Sequence, residues 1–202
     1  MISVIVANYN YGNFLGRCIR SILEQTLDHN QYEVIVIDDG STDDYVEVLS
    51  LFGDSIKVVA LPTNIGLASA INHGLRIARG RYIIRVDSDD YVHPEFLKSL
   101  QLYMELKADL FDAVAADYFK VDEIGNKLTV ADAQIDPIAC GILFKFEALG
   151  RVGFYREGLR FGEDQELREK LINAGMRIGH LPLPLYRYTK HGNSLTDKNL
   201  LK

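Results

Sequence analysis

The sequence predicts an α/β protein: an αβα sandwich on a mostly parallel central sheet, with a small antiparallel part towards the C-terminus. Three observations carry this. Short β-branched runs at residues 2–6, 34–37, 56–61 and 82–86 suit buried strands. Between the first two, Phe14, Leu15, Cys18, Ile19, Ile22 and Leu23 recur at helical spacing. Strand and helix then alternate about every thirty residues, the pattern of βαβ crossovers with helices on both sheet faces.

The elements follow in order. Residues 43–51 are expected as a second helix, with Thr42 as its N-cap. Residues 67–78 form a third, closed by Gly80. In the second half, residues 95–107 are helical, and Pro94 stands where proline is tolerated at a helix start. Residues 113–121 read as a strand, residues 124–128 as a hairpin turn, and the stretch around Pro137 as a loop. A short segment at 141–146 precedes a helix over 163–174 that Gly175 ends. The stretch 181–188 must be extended, because Pro182 and Pro184 forbid an interior helix.

Composition bounds the function. The chain has 202 residues, 48% of them hydrophobic, enough to bury a sizeable core in a single domain over 1–202. A net charge of −6 excludes nucleic acid and argues against an anionic membrane surface, since such partners select basic faces. It leaves room for a phosphate compound bridged by a metal ion. Cys18 and Cys140 lack zinc-ligand spacing and are expected as buried free thiols. No basic leader precedes the first apolar run, and no apolar stretch approaches the roughly 18 residues of a spanning helix. A cytoplasmic protein is expected, associated at most peripherally with the inner face of the membrane.

Ligands of an open parallel sheet bind beyond the carboxyl ends of its strands. Each predicted strand ends there in Asp, Asn or Gly: Ala7 to Gly12, Asp38 to Asp43, Asn64 to Gly66, and Asp87-Ser88-Asp89-Asp90. The last group suits Mg²⁺ or Mn²⁺ held by one or two carboxylates; it equally suits a polar turn leading into the helix at Pro94. Asp38-Asp39-Gly40-Ser41 reads either as a strand-to-helix turn or as a carboxylate reading the N–H edge of a base. Tyr9 offers an aromatic face for that base.

Six ordered blocks resemble family 2 glycosyltransferases with the Rossmann-like GT-A fold. They are Ser3 to Asn10 with Ser21 to Thr26, Val34 to Asp43, Asn64 to Ala68 with Ala78 to Ile83, Asp87 to Asp90, Gly162 to Leu167, and Tyr186-Arg187-Tyr188 with His191, Ser194 and Thr196. The resemblance implies an inverting transferase that moves one sugar from a nucleotide-sugar, UDP-sugar favoured, to a glycan or lipid-linked acceptor in cell-surface polysaccharide synthesis. Residues 1–90 would bind the nucleotide and 91–202 the acceptor. Ala7 and Tyr9 would line the base pocket, Asp39 would read the base edge with Asp38 beside it, and Asn64 and Ser88 would join the donor site. Asp87 would approach the ribose. Asp89 would hold Mn²⁺ or Mg²⁺, with His191 near the metal and diphosphate. Asp164 would be the general base, with Glu163 supporting it or meeting the acceptor.

Residue chemistry leaves simpler readings open. Glu163 and Asp164 also complement a helix dipole, and His191 also suits an exposed loop. His29, His73, His93 and His180 are expected to be structural or solvated, and Tyr118, Phe119, Phe144, Phe154 and Phe161 are candidates for an acceptor cleft. Many relatives carry Arg before the Asn of the third block. Here Ile71 precedes Asn72, so that donor contact is absent or comes from elsewhere, Arg85 being the candidate. The short span between Asp90 and Glu163 and the lack of a membrane helix argue against a processive synthase. A catalytically silent nucleotide-sugar-binding protein, a metal-dependent phosphatase using Asp87 and Asp89, and a nucleotidyltransferase are the alternatives.

Overall fold

The computed structural model describes residues 1–159 and 162–192; Phe161, Ser194 and Thr196 lie outside them. In chain order the first half runs β1 (Ile2–Asn8), α1 (Gly12–Leu23), β2 (Tyr32–Asp38), α2 (Tyr45–Ser50), β3 (Lys57–Ala60), α3 (Leu67–Ile77) and β4 (Tyr82–Arg85). Its four strands are parallel in the order β3-β2-β1-β4. Side-chain alternation along β1 explains why both faces are covered. Val4 and Val6 join one core with Leu15, Cys18, Ile19 and Ile22 of α1. Ile5 points the other way, into a core with Ile71 and Leu75 of α3.

The second half runs β5 (Tyr91–Val92), α4 (Phe96–Leu106), β6 (Ala113–Val121), β7 (Lys127–Ala131), β8 (Ile142–Lys145), α5 (Phe146–Val152), α6 (Glu163–Asn173) and β9 (Ile178–Thr189). It extends the same sheet through β4-β8-β6-β9-β5, with β7 hairpinned onto β6. The β4–β8, β8–β6 and β9–β5 pairs are antiparallel, whereas β6 and β9 are parallel. The predicted parallel sheet with an antiparallel C-terminal part is the observed one. No described helix is long and apolar enough to cross a membrane.

Several local expectations change. Helix α2 starts at Tyr45 with Asp44 at its N-cap position and no side-chain cap. Thr42 instead donates its N–H to Asn10 Oδ1 at 2.9 Å, and Asp43 accepts from the Gly12 N–H at 2.7 Å. Through these bonds the Thr42 amide and the Asp43 carboxylate join the first two strand tips. Helix α3 ends at Ile77 in an extended Ala78. Gly80 is therefore no helix cap. It permits close approach, since a Cβ there would lie 2.5 Å from the Ser3 nitrogen and 2.6 Å from the Tyr82 oxygen.

Strand β5 and helix α5 are too short to show a period in the sequence. Pro182 and Pro184 sit where the β6–β9 register shifts, between Ala116 and Tyr118. A bulge tolerates residues that cannot donate to the ladder. Tyr118 is fully buried in the main core, donating its hydroxyl to the Asp136 carbonyl at 3.0 Å, so it is not a cleft residue.

Gly80→Ala is expected to destabilise the fold by about 2 kcal/mol through overpacking against β1. Urea unfolding would show a lower midpoint at unchanged slope. A midpoint equal to that of the wild type would contradict this packing.

Candidate active site

The first cluster forms at the tips of β1 and β2, whose register pairs Asn8 with Asp38. Buried Asn8 donates Nδ2 to Asp38 Oδ1 at 2.9 Å and to Ser41 Oγ at 3.2 Å. The Ser41 N–H reaches Asp38 Oδ2 at 3.0 Å. Asp38 is thus shut away from solvent, both oxygens turned to shaping its own loop. Asp39 is also buried, accepting from the Ile65 N–H (2.7 Å) and the Gly66 N–H (2.9 Å). Those bonds pull the β3–α3 loop over the tip of β2. Burial pushes the Asp39 carboxyl up, against the two amides. Around these fixed carboxylates, Ala7 is half-buried, Asn64 is exposed, and Tyr9 has 45% of its surface in solvent. A strand-tip tyrosine that open has its ring face available for stacking.

The second cluster is at the end of β4. Arg85 is buried, with Nε 2.5 Å from Asp87 Oδ1, Nη2 3.0 Å from Asp87 Oδ2 and Nη1 2.7 Å from Asp164 Oδ1. The carboxylates outnumber this cation, because Asp89 and Asp90 lie near Asp87, and Glu163 near Asp164. Burial first, and then Asp164, push the Glu163 carboxyl up. Tyr11 is pushed up to about 12 by burial and by the charges of Asp89 and Asp87. An excess of negative charge at a half-open sheet edge is what a cation would relieve. Ser88 is buried within the loop.

The buried Asp90 accepts from the Tyr186 hydroxyl and from the Thr189 N–H, each at 2.7 Å. The same hydroxyl accepts from the Asp87 N–H at 3.2 Å. Two residues beyond Thr189, His191 Nε2 comes 2.8 Å from Asp89 Oδ2. Its ring is buried against Phe14 and Tyr11, with centroids 4.9 and 5.5 Å away. His191 is therefore not an exposed loop histidine. Arg17 closes the group from behind, donating Nη2 to the Asp89 carbonyl at 3.0 Å and to Thr189 Oγ1 at 3.1 Å.

Asp89 and His191 fit a divalent ion as a donor set. One offers a hard oxygen, the other an imidazole nitrogen, and their facing atoms are spaced as neighbouring ligands would be, roughly 3 Å apart. Asp87, Asp90 and Cys140 also lie close together. However, both Asp90 oxygens already accept hydrogen bonds, and burial keeps the Cys140 thiol protonated. That trio is structural.

Beside Asp164 opens a cavity of about 480 Å³, lined among others by Ala115, Ile142, Phe144, Tyr155, Leu167 and His180. Of the described aromatic residues proposed for a cleft, only Phe144 lines it; Phe119 faces Lys127 and Arg187, and Phe154 stacks on Phe146. His180 lines this cavity and holds Nε2 2.7 Å from Asp117 Oδ1. Ile71 is buried in the α3 core, whereas Arg85, also buried, reaches the site through Asp87 and Asp164. A charge inside the apolar run 83–86 was the available signal, because a buried cation requires partners.

The profile of Glycosyl transferase family 2 matches residues 3–181. The chain belongs to this family. An uncharacterized glycosyltransferase of Haemophilus influenzae is 30% identical over 98% of this chain and 68% of its own length. Hyaluronan synthase of Pasteurella multocida is 39% identical over 99% of this chain and 21% of its own length. S. aureus TarS 1-349, in complex with UDP-GlcNAc, superposes with a TM-score of 0.83 at 25% identity, covering 96% of this chain and 59% of that one. This family 2 chain thus spans from a fifth to two thirds of these proteins, and its fold is GT-A.

Asp90→Ala is expected to cost about 3 kcal/mol, since it strands two buried donors that now meet a carboxylate. Urea unfolding measures it; a loss below about 0.5 kcal/mol, the usual surface value, would contradict the anchoring role.

Proposed function

We propose that the chain is an inverting glycosyltransferase that moves one sugar from a nucleotide-sugar, with UDP-sugars favoured, to a glycan or lipid-linked acceptor. The observation that carries this is the placement of Asp164: Arg85 ties it to Asp87, Asp89 and His191 stand nearby in the same acidic loop system, and an acceptor-sized cavity opens beside it. The UDP-GlcNAc complex of TarS supports a uridine donor. The similarity to hyaluronan synthase supports polysaccharide synthesis, and we place it on the cytoplasmic side of the membrane.

Residues 1–90 bind the nucleotide. Tyr9 stacks on the base with Ala7 beside it, Asp39 meets the base edge, and Asn64 borders the pocket. Asp38 acts through the loop it shapes. Asp87 approaches the ribose, and the buried Ser88 joins the donor site through the loop it helps to pack. Asp89 and His191 hold Mn²⁺ or Mg²⁺, which when bound neutralises charge on the departing diphosphate.

Residues 91–202 present the acceptor. Asp164 takes the proton of the acceptor hydroxyl as its oxygen attacks C1 from the face opposite the diphosphate. The new C–O bond forms while the bond from C1 to the phosphate oxygen breaks, its electron pair leaving with the nucleoside diphosphate. Glu163 faces the acceptor beside the base. The phosphatase alternative needs Asp87 as a free nucleophile, and Arg85 holds both of its oxygens.

Calorimetry with UDP, GDP, CDP and dTDP, with and without Mn²⁺, is expected to show UDP binding that Mn²⁺ strengthens. Failure of every nucleotide to bind would overturn the donor assignment. Asp164→Asn is expected to lower turnover by about 100-fold or more while UDP affinity stays nearly unchanged; full turnover would remove it as base. His191→Ala is expected to weaken the Mn²⁺-dependent part of UDP binding by about tenfold and spare the metal-free part. Equal binding with and without Mn²⁺ in both proteins would contradict the metal site.

A further inference from the structure

We infer that Arg85 is a positioning residue that sets where Asp164 stands in the transfer site. The inference rests on Asp164 being the base and concerns how that base is held. The guanidinium makes three hydrogen bonds, two to Asp87 and one to Asp164, and so joins the end of β4 to the first turn of α6 across 79 residues of sequence. Its placement is directional. The Arg85 side chain is 8% exposed, while those of Asp87 and Asp164 are 26% and 31% exposed. The cation lies behind, and the carboxylates face the site.

The fold by itself gives no reason for a cation here. Along β4, Tyr82 and Ile84 enter the core shared with α1 and α4, and Ile83 enters the core shared with α3 and α6. Arg85 occupies the same face as Ile83, where an aliphatic residue would pack without desolvating a charge. Burial opposes its charge, and Asp164 and then Asp87 restore it, holding the guanidinium well above its ordinary range.

Helix α6 supplies the complementary reason. Only Leu167 and Leu171 of its residues are buried, so packing alone leaves the rotation of its first turn weakly defined. A fork-shaped donor with two teeth on Asp87 and the third on Asp164 defines it. Tyr155 braces the arrangement next to Arg85, its backbone held by Asn72 through bonds of 2.8 and 3.2 Å. Tyr155 and Asp164 line the cavity and Arg85 does not. Arg85 thus acts on the reaction through Asp164, without contacting the acceptor.

The test uses the intact chain and a UDP-sugar that it hydrolyses, with UDP release as the rate. Arg85→Met is expected to lower kcat by about 100-fold, as a misplaced base does, with donor KM and UDP–Mn²⁺ affinity within about threefold of wild type. Arg85→Lys, which keeps the charge but not the fork, is expected to recover part of kcat and to remain folded. A kcat within about threefold of wild type in the Met variant would overturn the inference. So would a rise in KM at constant kcat, which would make Arg85 a donor ligand. If the Met variant does not fold, Arg85→Lys decides: a kcat lowered at constant KM supports the inference, and full kcat overturns it. Asp164→Asn run in parallel separates the two claims. Should it keep its turnover, the base assignment falls; should it lose turnover while Arg85→Met does not, only the positioning role falls.

Discussion

One buried carboxylate organises the site. Asp90 lies at the end of the β4 loop and accepts hydrogen bonds from Tyr186 and Thr189, both on the strand that closes the described chain. Burial raises its pKa, as do the neighbouring charges of Asp89 and Asp87. The fold accepts that cost because these bonds join segments about a hundred residues apart. Through them β9 comes back across the strand tips, and His191 arrives beside Asp89. Tyr186 bonds to both Asp90 and the Asp87 amide, so the acidic loop and the returning strand share one anchor.

The same economy governs the charges. The β4 tip and the start of α6 gather Asp87, Asp89, Asp90, Glu163 and Asp164, with Arg85 as the buried cation between two of them. That guanidinium orders Asp87 and Asp164 and leaves the cluster as a whole negative. The remaining negative charge suits a divalent ion and, through it, a diphosphate that an acidic protein would otherwise repel. The net charge of −6 is therefore compatible with a phosphate ligand because much of it is local to the site.

Much of this was legible in the sequence, for physical reasons. Strand tips showed because apolar runs stop abruptly at Asn8, Asp38 and Asp87, and the parallel sheet followed from their alternation with helical stripes. Asp164 and His191 were legible only through the family likeness; by composition they read as a helix-dipole pair and a loop residue. What stayed hidden depends on long-range pairing. The two residues of β5 carry no period, Asp38 turns inward because of Asn8 and Ser41, and His180 reaches a cavity wall only once β9 lies beside β6. The arginine in the run 83–86 was visible, but its partner 79 residues away was not.

In the proposed site β9, anchored on Asp90, delivers His191 to a metal held by Asp89. Pulsed electron paramagnetic resonance of the protein with Mn²⁺ and UDP tests it most directly. The account predicts a nitrogen hyperfine coupling from a bound imidazole that disappears in His191→Gln. A wild-type spectrum without nitrogen coupling, or one unchanged by that substitution, would contradict it.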